Sequence, residues 1–140
     1  MASSATIASA TAAADPAGAA LDVTITGLRS QNGRILACLT ANPRTFPGCE
    51  KDPKALHVNV PTPEGGHLHF AGIRPGLYAL AVIHDENGNG RMDMALFLPR
   101  EGVGVSRNPR PRMGPPTFDS AAFRIDGADE ALSVTMKYLL

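Results

Sequence analysis

The chain has 140 residues, of which 44% are hydrophobic, and its 13 basic side chains balance 13 acidic ones. This length predicts a single globular domain, and a net charge of zero argues against a protein that binds nucleic acid by neutralising phosphates. Since no stretch approaches about 20 consecutive apolar residues, the sequence predicts no membrane span.

The first 20 residues differ in composition from the rest of the chain. Ten of them are Ala, half of the others are Ser or Thr, and Asp15 carries the only charge. The small residues from Ala10 to Pro16 are typical of the cleavage region of a secretory signal peptide. We interpret residues 1–20 as a signal-peptide remnant, the alternative being an extension without a targeting role. In both cases we expect disorder up to about Ala20 and a folded domain over residues 21–140.

Two cysteines, Cys38 and Cys49, follow this segment. An even number at short spacing, downstream of a signal-like remnant, predicts one disulfide and therefore a periplasmic or secreted protein. The alternative is two unrelated thiols in a cytosolic protein. Neither cysteine belongs to a C-x-x-C motif, which argues against redox catalysis.

Alternation of apolar and polar residues with a period of two recurs along the chain and predicts about seven short strands. The predicted strands are 21–26, 34–41, 55–60, 67–71, 77–83, 121–125 and 131–139. No segment has the pattern of a helix. We therefore predict an all-β fold, an antiparallel Greek-key sandwich of the transthyretin or immunoglobulin type, with a small barrel as the alternative.

The segment 84–117 is predicted to be a long irregular loop, and long loops in small domains are commonly functional. It begins with His84-Asp85-Glu86-Asn87-Gly88-Asn89-Gly90-Arg91-Met92-Asp93. This spacing matches a calcium loop, in which oxygen ligands alternate and the glycine at position 6 allows a sharp turn. The predicted ligands are the side chains of Asp85, Asn87, Asn89 and Asp93, the carbonyl oxygen of Arg91, and Glu101.

The match to a calcium-binding helix-loop-helix is incomplete, because position 12 is Leu96 instead of Glu. We therefore predict no such helical motif and an affinity of roughly 10⁻⁴ to 10⁻³ M, the range of extracellular modules. The alternative is a plain hairpin turn, since Asn-Gly pairs are strong turn signals.

Three further groups of side chains are candidates for chemistry. Four arginines, Arg100, Arg107, Arg110 and Arg112, are candidates for binding a sulfate, phosphate or acidic glycan, or else form a solvated loop. Glu101, His84 and Ser106 are the side chains available to a small hydrolase, although Ser106 lacks a nucleophile-elbow sequence. His67 and His69 share one face of a predicted strand and, with His57 or His84, are candidates for a Zn²⁺ or Cu²⁺ site, the alternative being partly exposed strand histidines.

Two sets of motifs resemble known families. Gly72-Ile73-Arg74-Pro75-Gly76-Leu77-Tyr78 resembles the G-x-x-P-G-x-Y turn of transthyretin-like and carboxypeptidase-regulatory-like domains. In such a turn, the Tyr78 ring is buried and its hydroxyl finds a backbone partner. The segments 84–90, 98–106 and 114–118 together are similar to the secreted bacterial family named domain of unknown function 2141, over about residues 21–140. This resemblance implies an extracytoplasmic β-sandwich and implies no activity.

The function that these observations favour is a periplasmic or secreted, non-enzymatic β-sandwich whose loop binds Ca²⁺. The loop surface between Glu101 and Arg112 is expected to meet an envelope protein or a glycan. The alternatives are a small hydrolase-like enzyme and an anion- or glycan-binding module that uses the loop 84–112.

Overall fold

The computed structural model of the chain describes residues 11–13, 18–49, 52–87, 94–95, 98–99, 102–110 and 115–138. The strands are β1 (Thr11–Ala13), β2 (Ala19–Thr26), β3 (Arg34–Thr40), β4 (Leu56–Pro61), β5 (His67–Ile73), β6 (Gly76–Asp85), β7 (Met94–Ala95), β8 (Leu98–Pro99), β9 (Gly102–Val105), β10 (Phe123–Ile125) and β11 (Glu130–Thr135). A one-turn helix, α1 (Phe118–Ala121), precedes β10, and a 3-10 turn (Thr62–Glu64) follows β4. None of the helices in these ranges is long and apolar enough to cross a membrane.

Two sheets form a sandwich, which confirms the predicted all-β class. The first sheet has the order β1-β5-β2-β11, and the second has the order β10-β6-β3-β4, with β9 also pairing with β6. Most ladders are antiparallel, as predicted, but β11 runs parallel to β2 and β1 runs parallel to β5. The short strands β7 and β8 form a separate two-stranded antiparallel sheet.

The boundaries of the strands follow the predicted pattern, with four differences. The last strand, predicted over 131–139, ends at Thr135. The sandwich begins before residue 21, since β2 starts at Ala19 and Thr11–Ala13 pairs with β5. The strand predicted to start at Ala121 starts at Phe123, because the Thr117 side chain accepts a hydrogen bond from the Ser120 N–H and caps α1. The short strands β7, β8 and β9 lie inside the segment 84–117 that was predicted to be irregular.

The main core lies between the sheets and is built from alternate side chains of each strand. Leu21, Val23 and Ile25 of β2 have almost no exposed surface, as the alternation predicts. The second sheet is also covered on its outer side by a smaller cluster that includes Phe46 and Phe118. Residues 35–39 of β3 and 79–83 of β6 are buried on both faces, and these stretches are continuously apolar and do not alternate.

The predicted disulfide joins Cys38 of β3 to Cys49. Both cysteines are buried in the smaller cluster, where Phe46 and Phe118 pack edge to face with their ring centroids 6.1 Å apart. The bridge therefore attaches the loop between β3 and β4 to the outer face of the second sheet. The Tyr78 hydroxyl donates to the carbonyl oxygen of Arg74 at 2.7 Å, which is the backbone partner expected from the Pro-Gly-x-Tyr turn.

Candidate functional site

The candidate site lies at the end of β6, where the strand leads into residues 85–101, which contain the predicted calcium ligands. His84 and Asp85 close β6, and neither has any exposed surface, whereas Asn87 is exposed. The backbone of this end is held between β3, through Arg34 and Ile35, and β9, through Gly102. A buried strand between two partners therefore fixes where the segment begins.

His84 is held by hydrogen bonds at both ring nitrogens. Its Nε2 lies 2.8 Å from the carbonyl oxygen of Asn32, and its Nδ1 lies 2.7 Å from the hydroxyl of Tyr138. Because a carbonyl oxygen accepts only, the network assigns the ring hydrogen to Nε2. The Tyr138 hydroxyl then donates to Nδ1 and accepts from the backbone N–H of Arg29 at 3.2 Å. Both nitrogens of the imidazole are thus used in fixing the structure.

Glu86, the residue after Asp85, forms a hydrogen-bonded ion pair with Arg29. The Arg29 guanidinium donates to both carboxylate oxygens, with a shortest distance of 2.7 Å from Nη2 to Oε1. The Ser30 hydroxyl donates to Oε2 at 2.8 Å. The Arg29 guanidinium also lies 4.3 Å from the centroid of the Tyr138 ring, a cation–π contact that links the two halves of the site.

Hydrogen bonding and burial shift the pKa values of three side chains of this network. The hydrogen bond from Arg29 is the main cause that lowers the pKa of Glu86, and the same bond raises the pKa of Arg29. Burial is the main cause that raises the pKa of Tyr138. At neutral pH, the tyrosine is therefore a protonated donor and the Arg29–Glu86 pair is fully charged.

Two glycines allow the backbones of the site to approach one another. Gly33 has a φ of 73°, and a Cβ at this position would meet the carbonyl oxygen of Asp85. A Cβ at Gly102 would meet the ring of Tyr138. Since any larger residue collides at these points, the turn before β3 and the start of β9 both pack directly against the end of β6.

The structure describes part of the predicted calcium ligand set. Asp85 and Asn87 have the positions given above, while Asn89, Arg91, Asp93 and Glu101 lie outside the described residues. Within the residues that are described, no group of three or more His, Cys, Asp and Glu side chains is arranged to hold a metal ion. The calcium site stays a prediction.

The structure does not bring His84 and Ser106 together. The Ser106 hydroxyl is buried, donates to the carbonyl oxygen of Ala121 at 2.6 Å and accepts from the Leu80 N–H at 3.0 Å. Leu80 precedes His84 by four residues of β6, which corresponds to about 13 Å along a strand. Glu101, the third candidate for hydrolysis, lies outside the described residues.

The predicted arginine cluster is described at two of its four positions. Arg107 is exposed, and its Nη1 donates to the carbonyl oxygen of Ala122 at 3.2 Å, which directs it toward the start of β10. Arg110 is exposed, and Arg100 and Arg112 lie outside the described residues. Arg107 therefore lies beside a strand edge, a neighbourhood that the arginine spacing did not predict.

His67 and His69 share one face of β5, as predicted, and both contact the carboxylate of Asp22. His69 Nδ1 lies 2.7 Å and His67 Nε2 lies 3.4 Å from Asp22 Oδ1. The hydrogen bond from His69 is the main cause that lowers the pKa of Asp22. His57 bonds the carbonyl oxygen of Cys49, and His84 is engaged as described, so neither joins this pair.

Sequence reasoning missed Arg29, Asn32 and Tyr138, the residues that hold the end of β6. Tyr138 is 54 positions from His84, and Arg29 is 57 positions from Glu86. No local spacing connects residues so far apart. The one available signal was Gly102-Val103-Gly104-Val105, because alternate glycines in a strand indicate that large side chains approach closely.

Comparison with known proteins gives one match. A family model described as an uncharacterized protein conserved in bacteria (DUF2141) matches residues 23–133. No curated protein and no solved structure matches the chain.

Proposed function

Because the chain belongs to this DUF2141 family of uncharacterised bacterial proteins, we propose its function from its own geometry: an extracytoplasmic, non-enzymatic β-sandwich that binds Ca²⁺ through the segment 85–101. The buried position of Asp85 carries this proposal. Its carboxylate has no exposed surface and is placed at the start of the segment by a strand that is paired on both sides. A ligand fixed in advance reduces the ordering cost of binding an ion.

The neighbours of Asp85 support the same role. His84 and Glu86 are fully engaged by Tyr138 and Arg29, so that they hold the strand end in place. Asn87, two residues after Asp85, is exposed, and its side chain carries an amide oxygen, a ligand type that Ca²⁺ takes. The proposed ligand set combines Asp85 and Asn87 with Asn89, Asp93, Glu101 and the carbonyl oxygen of Arg91.

Two observations support a location outside the cytoplasm and a binding role. The buried Cys38–Cys49 disulfide is of a kind that persists in oxidising compartments. The Ser106 hydroxyl and both nitrogens of His84 are used in structural hydrogen bonds, which favours a binding protein over a hydrolase. We propose that bound Ca²⁺ orders the segment and shapes the surface of residues 101–112 for an envelope protein or a glycan.

Calorimetry and thermal melting with CaCl₂ test the calcium proposal. We expect a Kd of roughly 10⁻⁴ to 10⁻³ M and, near 100 times the Kd, a stabilisation of about 2.7 kcal/mol. Asn87→Ala and Asp93→Ala should weaken binding without unfolding the sandwich, and Asp126→Ala, an exposed acid in the turn between β10 and β11, is the matched control. Absence of heat and of a melting shift in the unmodified protein at 10 mM Ca²⁺, about ten times the weakest expected Kd, would refute calcium binding.

A further inference from the structure

The outer edge of β11 is closed in two different ways along its length. At the C-terminal end, beyond the strand, Lys137 pairs with Val103 of β9 through two backbone hydrogen bonds of 2.9 and 3.0 Å. Next to it, the carboxamide of Asn108 donates to the carbonyl oxygen of Ser133 at 3.0 Å and accepts from the N–H of Thr135 at 2.8 Å. Here the Asn108 side chain makes the hydrogen bonds that a neighbouring strand would make.

The bonds of Asn108 are the bonds that a parallel strand would make. In a parallel ladder, one residue donates to the carbonyl of residue i and accepts from the N–H of residue i+2. The Asn108 amide does this for Ser133 and Thr135, and Asn108 has a φ of 45°, in the left-handed region. A backbone conformation of this kind is costly unless contacts hold it.

The alternating direction of the backbone groups along β11 places one further N–H and one further carbonyl group on the same edge. Since N–H and C=O groups of alternate residues point to one side, the N–H of Ser133 and the carbonyl of Ala131 share the edge that Asn108 caps. Both residues line a cavity of about 340 Å³ between β11 and the segment Ala122–Arg124. Across the part of the chain that the structure describes, no strand pairs with this stretch of the edge.

The cavity lies at an open side of the sandwich. The strands β10 and β11 are the terminal strands of the two different sheets, and both border the cavity. The half-buried side chains of Phe123 and Leu132 supply apolar surface to its lining. The cavity therefore offers a backbone edge together with an apolar wall.

The charged groups of the cavity favour an acidic ligand. Two arginines, Arg107 and Arg124, and one carboxylate, Glu130, line it. Neither arginine forms an ion pair with any of the described residues. The hydrogen bond from Arg107 to Ala122 holds its guanidinium at the cavity, where planar N–H groups bind carboxylates well.

We propose that this cavity binds an extended peptide segment of a partner protein by strand addition. A residue of the peptide bonds the N–H of Ser133 and the carbonyl of Ala131, in continuation of Asn108. Acidic side chains of the peptide pair with Arg107 and Arg124. In this mode, backbone bonds give affinity and the side chains of alternate peptide residues give specificity.

Fluorescence anisotropy with labelled eight-residue peptides tests the proposal on the full chain. The probes alternate Val with Asp, alternate Val with Lys, or repeat the Val-Asp peptide with N-methyl groups on alternate amides. We expect the Val-Asp peptide to bind, and the Lys and N-methylated peptides to bind at least roughly tenfold more weakly. Equal binding of all three peptides, or no binding of the Val-Asp peptide, would overturn the proposal.

Matched variants locate the binding on the protein. Ser133→Pro removes the edge N–H and Arg124→Glu reverses a charge, so that each should weaken the Val-Asp peptide, while Ser133→Ala and Arg44→Glu should not. Circular dichroism verifies folding, and the N-methylated peptide tests the same bonds without any variant. A second copy of the chain is the other possible occupant of the edge. The proposal is wrong if no peptide binds, the unmodified protein is a dimer, and Ser133→Pro is a monomer.

Discussion

The hydroxyl of Tyr138 lies 2.7 Å from Nδ1 of His84, although 54 residues separate them. His84 has no exposed surface, and the Tyr138 ring packs edge to face against it with centroids 5.9 Å apart. This contact joins the C-terminal segment of the chain to the strand end from which the proposed calcium segment starts.

Removal of the Tyr138 hydroxyl should leave a buried acceptor without its donor. We expect Tyr138→Phe to lower the free energy of unfolding by roughly 1–3 kcal/mol, the cost of an unsatisfied buried polar group. Urea denaturation measures this loss. Tyr78→Phe is the control, since its hydroxyl bonds a carbonyl at an exposed position, and it should cost less. An equal loss in the two variants would contradict the role assigned to Tyr138.

Gly102→Ala should displace the Tyr138 ring. The added Cβ would meet that ring, and overpacking of this kind costs typically about 1–3 kcal/mol. Gly66→Ala is the matched control, because a Cβ at Gly66 meets nothing within 4 Å. Thermal melting should show a clear decrease for the first variant and little change for the second. A melting temperature of Gly102→Ala equal to that of the unmodified protein would argue against close packing here.

Acid should weaken the contribution of Glu86 to stability. Its pKa is lowered by Arg29 and Ser30 from an ordinary value of 4.5, so its ionised form is favoured by folding. The stabilisation is present above pH 4.5 and is lost as the pH falls through the lowered pKa. Glu86→Gln should therefore be less stable than the unmodified protein at pH 7, and the difference should shrink below pH 4.5.

Urea denaturation from pH 7 to pH 2 measures this difference, with Glu64→Gln as the control at an exposed position of the 3-10 turn. A gap between Glu86→Gln and the unmodified protein that stays constant over the whole pH range would exclude the charged pair as its source.

Loss of the disulfide should destabilise the fold and release the loop between β3 and β4. Closing a short loop of this kind stabilises by roughly 3 kcal/mol in the chain-entropy model, and the bridge is also part of the Phe46–Phe118 cluster. Dithiothreitol should lower the melting temperature of the unmodified protein and should not affect a Cys38→Ala/Cys49→Ala double variant. In the reduced unmodified protein, limited proteolysis should cut the loop between residues 42 and 55 first. First cleavage elsewhere would contradict the anchoring role of the disulfide.

Calcium should protect the segment after β6 more than the sandwich. If Asp85 is a ligand, Asp85→Ala should abolish the difference in protease cleavage of residues 88–101 with and without Ca²⁺. Cleavage that is the same in both conditions for the unmodified protein would count against ordering of the segment by the ion. Asp126→Ala should retain the behaviour of the unmodified protein.

The period-two pattern of the sequence was enough to predict the strands that bury one face. Leu21, Val23 and Ile25 alternate with polar residues, and hydrophobic burial permits one register for such a strand. The cysteine spacing predicted the bridge for a similarly local reason. Local patterns failed at β9, because its glycines are unfavourable for strands in isolation and are required only by the side chains that pack on them.

The sequence by itself determined the all-β class, most strand positions, the disulfide and the family to which the motifs belong. Only the tertiary structure decided that Tyr138 and Arg29 hold His84 and Glu86, that Ser106 is a buried structural residue, and that Asn108 caps β11. The physical reason is distance along the chain. Periodicity records which side of its own strand a residue faces, whereas hydrogen-bond partners more than 50 residues apart are brought together by the packing of the two sheets.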